Sequence, residues 1–141
     1  MIAVITCMYR RPIVSRIFCE GIERLKRDSG IPLQVFCAVS EKDSFDLCIE
    51  YGITPVFCEN NPLGRKWNAV FNEAALTNPK GILILGDDDV ISSDYLMHLI
   101  QVKHSAHGLE RIGFVNSSTK EVIDFKYPHS KTIGAGRWIP S

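Results

Sequence analysis

Apolar residues along this chain follow two rhythms. Short unbroken runs recur at residues 2–9 (IAVITCMY), 33–40 (LQVFCAVS), 54–59 (TPVFCE) and 81–86 (GILILG). They lack polar alternation; residues 2–9 have the pattern of a strand covered on both faces, residues 33–40 and 81–86 read as further buried strands, and residues 54–59 as a shorter strand. Between the runs the spacing becomes helical. Residues 12–30 place Ile13, Ile17, Phe18, Ile22 and Leu25 at helical intervals, and residues 65–77 turn Trp67, Val70, Phe71, Ala74 and Ala75 inward. Residues 44–52 and 92–106 read as two further helices. Pro12 suits a first helical turn and Gly30 a C-terminal stop. Ser44 is placed to cap the second helix and Gly52 to end it, and "NNPLG" (60–64) is a turn.

The resulting order is β-α-β-α-β-α-β-loop-α. Such alternation predicts an α/β fold with a mostly parallel sheet and helices on both faces. Ligands of these sheets bind beyond the carboxyl ends of the strands. Residues 1–107 form this domain. From 108 to 141 the pattern weakens into two strands, 111–119 and 121–128, and a basic, glycine-containing stretch, 129–141.

Composition narrows the function classes. The 141 residues suit one domain, with 45% hydrophobic and 23% charged residues. Sixteen Lys+Arg balance sixteen Asp+Glu, which removes the basic footprint of a nucleic-acid binder. The five cysteines are odd in number and form no CxxC pair. They read as small buried hydrophobes in a reducing compartment, not as a zinc site. The N-terminal apolar run is followed, not preceded, by charge and is too short to span a bilayer. The expectation is a cytoplasmic chain without a transmembrane segment.

One stretch breaks the local rules. In "LILGDDDVIS" (83–92) an apolar strand stops at Asp87, Asp88 and Asp89. Adjacent like charges repel and need compensation. Carboxylates at i and i+2 beyond a strand can share a hard divalent cation, Mg²⁺ or Mn²⁺, whose other positions go to water and phosphate. Asp87 and Asp89 have that spacing, and this reading is favoured over an acidic helix start. Arg10 and Arg11 follow the first strand, and Arg65 and Lys66 open a helix. Cations at a helix start oppose its dipole. They fit an anionic ligand there or a solvated basic turn equally well. Asn68 and Asn72 lie one turn apart on that helix, where either could hydrogen-bond a ligand or simply occupy a polar helix face. Glu41, Lys42, Asp43 and Asp46 follow the second strand, fit to bond a base or ribose or to cap a helix. His98, His104 and His107 have no zinc-motif spacing and read as surface residues; His129 has no assigned place. No GxSxG, GxxxxGK[ST] or HExxH motif occurs.

Taken in order, "VITCMYRRP", "SEKDSFD", "NPLGRKWNAVFNEA" and "GILILGDDDVIS" resemble family-two-type glycosyltransferases of the GT-A fold, over residues 2–107, with a further echo at "GAGRWIP" (134–140). The resemblance implies a domain that binds a nucleotide-diphosphate sugar and transfers the sugar to an acceptor of unknown kind. It implies Mn²⁺ or Mg²⁺ held by Asp87 and Asp89. Asp88 belongs with them, because the DxD register is ambiguous: Gly86 stands at the first Asp if Asp88 is the second. By position, Thr6 to Arg11 would line the nucleotide, with Arg10 where many relatives have Asn. Glu41 stands where an Asp often contacts the base, and Lys66 would approach the diphosphate or base. Of the two asparagines, Asn68 is the candidate for the nucleotide sugar. Relatives continue further, and their general base lies in that later region. Residues 108–141 then correspond to the start of an acceptor-side region. An unfinished domain of this kind would expose apolar surface and favour self-association into a homo-oligomer. Two other classes compete. A nucleotidyltransferase usually has a glycine-rich basic signature after its first strand, which "CMYRRP" lacks. A non-catalytic binding protein with a degenerate site is the other.

Overall fold

The computed structural model describes residues 1–101, 106–109, 111–116, 118–126 and 136–140. The elements are β1 (Ile2–Cys7), α1 (Pro12–Ser29), β2 (Leu33–Val39), α2 (Lys42–Glu50), β3 (Thr54–Phe57), α3 (Leu63–Leu76), β4 (Gly81–Ile84), α4 (Ser93–Gln101), β5 (Arg111–Val115), β6 (Val122–Lys126) and β7 (Arg137–Pro140). The main sheet has the order β3-β2-β1-β4-β7. Its first four strands run parallel, as the alternating pattern predicts, and β7 is antiparallel to β4. Strands β5 and β6 pair antiparallel in a separate two-stranded sheet.

Handedness explains how the helices divide. From β1 to β3 the chain steps one way along the sheet; from β3 to β4 it returns past β2 and β1. Right-handed crossovers put helices from opposite steps on opposite faces. Accordingly α1 and α2 cover one face, and α4, which leads to antiparallel β7 and so falls outside that rule, packs beside α1 there; Phe18, Ile22, Leu25, Leu47, Leu96 and Leu99 pack on Ile2, Val4, Val35 and Leu83. The other face holds α3, where Val70 and Ala74 pack on Ala3, Ile5, Phe36 and Ala38. Alternate residues of β1 and β2 thus enter different cores, and so both strands read as unbroken apolar runs.

The structure corrects several details. In α1 the buried stripe is Ser15, Phe18, Cys19, Ile22 and Leu25, whereas Ile13 and Ile17 are exposed. In α3 the stripe is Lys66, Val70 and Ala74, with Ala75 exposed. The cap of α2 is Glu41, three residues before Ser44, and α3 begins at Leu63 behind Pro62. Helix α4 is described to Gln101; of the expected helix to 106, residues 102–105, with His104, lie outside the described residues, as does His129, and residue 106 is not helical. Cys19, Cys37 and Cys48 are buried as expected, Cys7 and Cys58 are half-buried, and all five are free thiols. Among the described residues, no helix is long and apolar enough to cross a membrane.

Strand β7 had no strand pattern in the sequence reading. Its four residues pair with β4, Trp138 opposite Leu83, and His107 bridges to Trp138. The Trp138 indole is buried in the larger core. It passes directly over Gly81, where a Cβ would overlap the ring. The hairpin of β5 and β6 leaves Phe114, Val115, Val122 and Ile123 exposed.

Two glycines separate this packing constraint from backbone propensity. Gly81→Ala is expected to destabilise the fold by about 1–3 kcal/mol through overpacking, seen as a lower urea midpoint. Gly64→Ala, in α3 with open space around its Cβ, is expected to be neutral or to stabilise by up to about 1 kcal/mol.

Candidate functional site

Strand order reverses direction between β1 and β4, so their C-terminal ends open a crevice, the usual ligand position in such sheets. The loop after β1 brings Arg10 and Arg11 there, and the loop after β4 brings the three aspartates. Arg10 takes a left-handed backbone conformation (φ 51°), uncommon for a residue with a Cβ and a mark of functional loops. Its N–H donates to Glu41 Oε1 at 3.2 Å, and its guanidinium lies 5.0 Å from the Tyr9 ring centroid. The turn directs Arg11 across the crevice.

Arg11 joins the two loops. Its Nη2 bonds Asp87 Oδ1 and its Nη1 donates to Asp88 Oδ2 at 3.1 Å. Asp87 is 2% exposed, and its other oxygen accepts from Ser15 Oγ of α1 at 2.9 Å. Both Asp87 oxygens are therefore engaged inside the protein. The Asp88 side chain is 56% exposed and, among the described residues, bonds Arg11 alone. Asp89 folds back, Oδ2 accepting from Gly86 N at 2.7 Å. Burial pushes the Asp89 carboxyl above its ordinary value; the Gly86 N–H opposes this, and Asp88 and Asp87 add to it. For Arg11 the balance is reversed: burial pulls the guanidinium down, and Asp87 and Asp88 more than offset it. The like-charge problem posed by the triplet is thus met by a protein cation, a hydroxyl, a backbone N–H and solvent. Among the described residues no three His, Cys, Asp or Glu side chains are arranged to hold a metal ion.

Lys66 was expected at the diphosphate or base. The structure buries it completely. Its Nζ donates to Met8 O at 2.9 Å, Asn60 Oδ1 at 3.2 Å and Ser40 Oγ at 3.3 Å, and lies 5.5 Å from the Tyr9 ring centroid. Those acceptors come from the loops after β1, β3 and β2. One ammonium therefore ties three strand ends into a single rim, and the basic start of α3 has a structural reason. Arg65 turns outward to Glu59 at 3.5 Å.

The remaining expected residues divide. Glu41 belongs to the rim: Oε1 accepts from Arg10 N and Ser44 Oγ, while Oε2 is buried without a partner among the described residues. Thr6 is fully buried, its Oγ1 likewise unpartnered, one residue inside the strand end. Asn68 lines a cavity of about 380 Å³ with Trp67, Phe71, Ile84 and Arg137 on the α3 face; it makes no hydrogen bond to the Arg11 cluster. Burial pushes the Cys7 thiol up to about 12, which disfavours a nucleophilic thiolate. Sequence reading missed Ser15, Ser40 and Asn60. Ser15 was detectable as the one polar residue on the buried stripe of α1.

No family model matches the chain, and no curated protein sequence matches it. Among solved structures, the chain is similar to residues 1–349 of TarS from S. aureus, a glycosyltransferase, with a TM-score of 0.56 and 17% identity. The match covers 85% of this chain and 40% of the TarS chain. The chain therefore has a glycosyltransferase-like α/β fold and spans less than half of that structure.

Lys66→Met is expected to destabilise the protein by about 2–4 kcal/mol, because buried acceptors lose a charged donor. Arg65→Met, which breaks only an exposed pair, is expected to change stability by less than about 1 kcal/mol. Urea unfolding of both variants checks this contrast.

Proposed function

We propose that this chain is a metal-dependent glycosyltransferase, or the donor-binding module of one, acting on a nucleotide-diphosphate sugar. The observation that carries the reading is the meeting of Arg11 with Asp87 and Asp88 at the β1/β4 crevice, in a fold like that of a glycosyltransferase. Glu41 supports it. Its unpartnered Oε2 is an acceptor for a ribose hydroxyl or a base N–H, since a buried carboxylate oxygen left unbonded is costly. Arg10 and Arg11 are the anion-binding groups of the rim. Lys66 acts from inside, holding the loops that would surround the nucleotide.

The acidic triplet suits the metal in chemistry: every side-chain donor is a hard carboxylate oxygen. One oxygen of Asp88 and one of Asp89 carry no hydrogen bond among the described residues, and Asp87 adds a third carboxylate once Arg11 moves. Mg²⁺ and Mn²⁺ are commonly bound by one or two carboxylates completed by substrate phosphates, so a prebuilt cage is not required. The bound ion would neutralise charge on the departing nucleoside diphosphate. Transfer joins an acceptor hydroxyl oxygen to the anomeric carbon and releases the nucleoside diphosphate, the hydroxyl proton going to a general base.

A thermal-shift screen with UDP, GDP, TDP and CDP, each with Mn²⁺, tests the ligand class. At ligand about 100-fold above Kd, linkage stabilises by about 2.7 kcal/mol, a rise of roughly 5–10 °C for a chain of this size. Asp88→Asn combined with Asp89→Asn is expected to remove the rise. No shift with any of the four nucleotides would reject the proposal.

A further inference from the structure

We infer that Arg11 is a built-in counter-ion that competes with the divalent cation for the acidic triplet and is released by the donor's diphosphate. The inference rests on the nucleotide-sugar reading and adds an order of events to it. Three observations carry it. Arg11 spans two carboxylates with two different nitrogens, Nη2 to Asp87 and Nη1 to Asp88, so it holds the position a bridging cation would take. Asp87 is almost without solvent, and Ser15 occupies its second oxygen; a buried carboxylate in this setting needs a cation beside it. The Arg11 side chain is nevertheless 49% exposed, so the guanidinium has a route out of the crevice.

A guanidinium fork matches phosphate as well as it matches carboxylate. A diphosphate entering the rim therefore offers Arg11 an alternative partner of higher charge. As Arg11 turns to phosphate, Asp87 Oδ1 and Asp88 Oδ2 become free for the metal, and the diphosphate supplies further oxygens. A metal arriving alone finds a positive group already seated and no three-carboxylate cage among the described residues. Metal and diphosphate are thus expected to bind with positive coupling, and the coupling must be reciprocal. Arg11 acts here as a positioning residue.

The test uses two ligands separately, Mn²⁺ alone and metal-free inorganic pyrophosphate, each titrated calorimetrically into wild type and Arg11→Gln. The proposal predicts effects of opposite sign. Arg11→Gln binds Mn²⁺ at least about 10-fold more tightly, because the competitor is gone, and binds pyrophosphate at least about 10-fold more weakly, because the phosphate partner is gone. Each tenfold change corresponds to about 1.4 kcal/mol. Arg11→Lys keeps a charge beside Asp87 but cannot span both carboxylates. It serves where the glutamine variant fails to fold, and is expected to shift both affinities in the same opposite senses by about 3-fold. A purely structural Arg11 would lower both affinities together, and unchanged or weaker Mn²⁺ binding in both variants overturns the inference. Absence of pyrophosphate binding by wild type would count against the nucleotide-sugar reading, while the Mn²⁺ arm would still decide the competition.

Discussion

A carboxylate with almost no access to water must be compensated, and Asp87 is such a group. Its two oxygens are met by Arg11 from the loop after β1 and Ser15 from α1. This contact joins the strand ends on either side of the sheet's switch point, and it seats α1 against the loop after β4. Much else at the rim is arranged around it. The left-handed turn at Arg10 brings Arg11 into reach, Glu41 accepts the Arg10 N–H, and Asp88 is left at the surface beside the guanidinium. Charge compensation between protein groups organises this crevice.

Lys66 solves a related problem for the rest of the rim. Parallel strands end in loops that share no ladder hydrogen bonds with one another. A single ammonium accepted by Met8 O, Ser40 Oγ and Asn60 Oδ1 supplies that missing connection. Hydrogen bonds to a charged donor are the stronger kind, and three of them offset part of the cost of burying the charge. The rim therefore combines a rigid inner tie at Lys66 with a half-exposed outer tie at Arg11. The outer one is accessible and the inner one is not, the division that the proposed site requires.

The fold was largely legible because both faces of the sheet are covered: runs at 2–9, 33–40 and 81–86 read as buried strands and were. The amphipathic reading of α1 erred where composition outweighed phase. Ile13 and Ile17 are apolar yet exposed, while polar Ser15 lies on the buried stripe. The same error hid Lys66, whose spacing with Val70 and Ala74 puts it on the inner face of α3. Strand β7 was missed because four residues after a glycine carry too little pattern; its position depends on Trp138 fitting over Gly81, a long-range contact. Of the candidate site, the acidic triplet, Arg10, Arg11 and Glu41 do meet at one rim. That Arg11 would pair with Asp87 was not legible, because 76 residues separate them and only the topology makes them neighbours.

Anomalous diffraction from crystals soaked with Mn²⁺ and a nucleoside diphosphate tests the central claim most directly. The account predicts a manganese peak within coordination distance of carboxylate oxygens of the Asp87–Asp89 triplet and of the diphosphate, with the Arg11 guanidinium turned from Asp87 to phosphate. A diphosphate seated elsewhere, or a peak away from the triplet with Arg11 still bonded to Asp87 and Asp88, would contradict it.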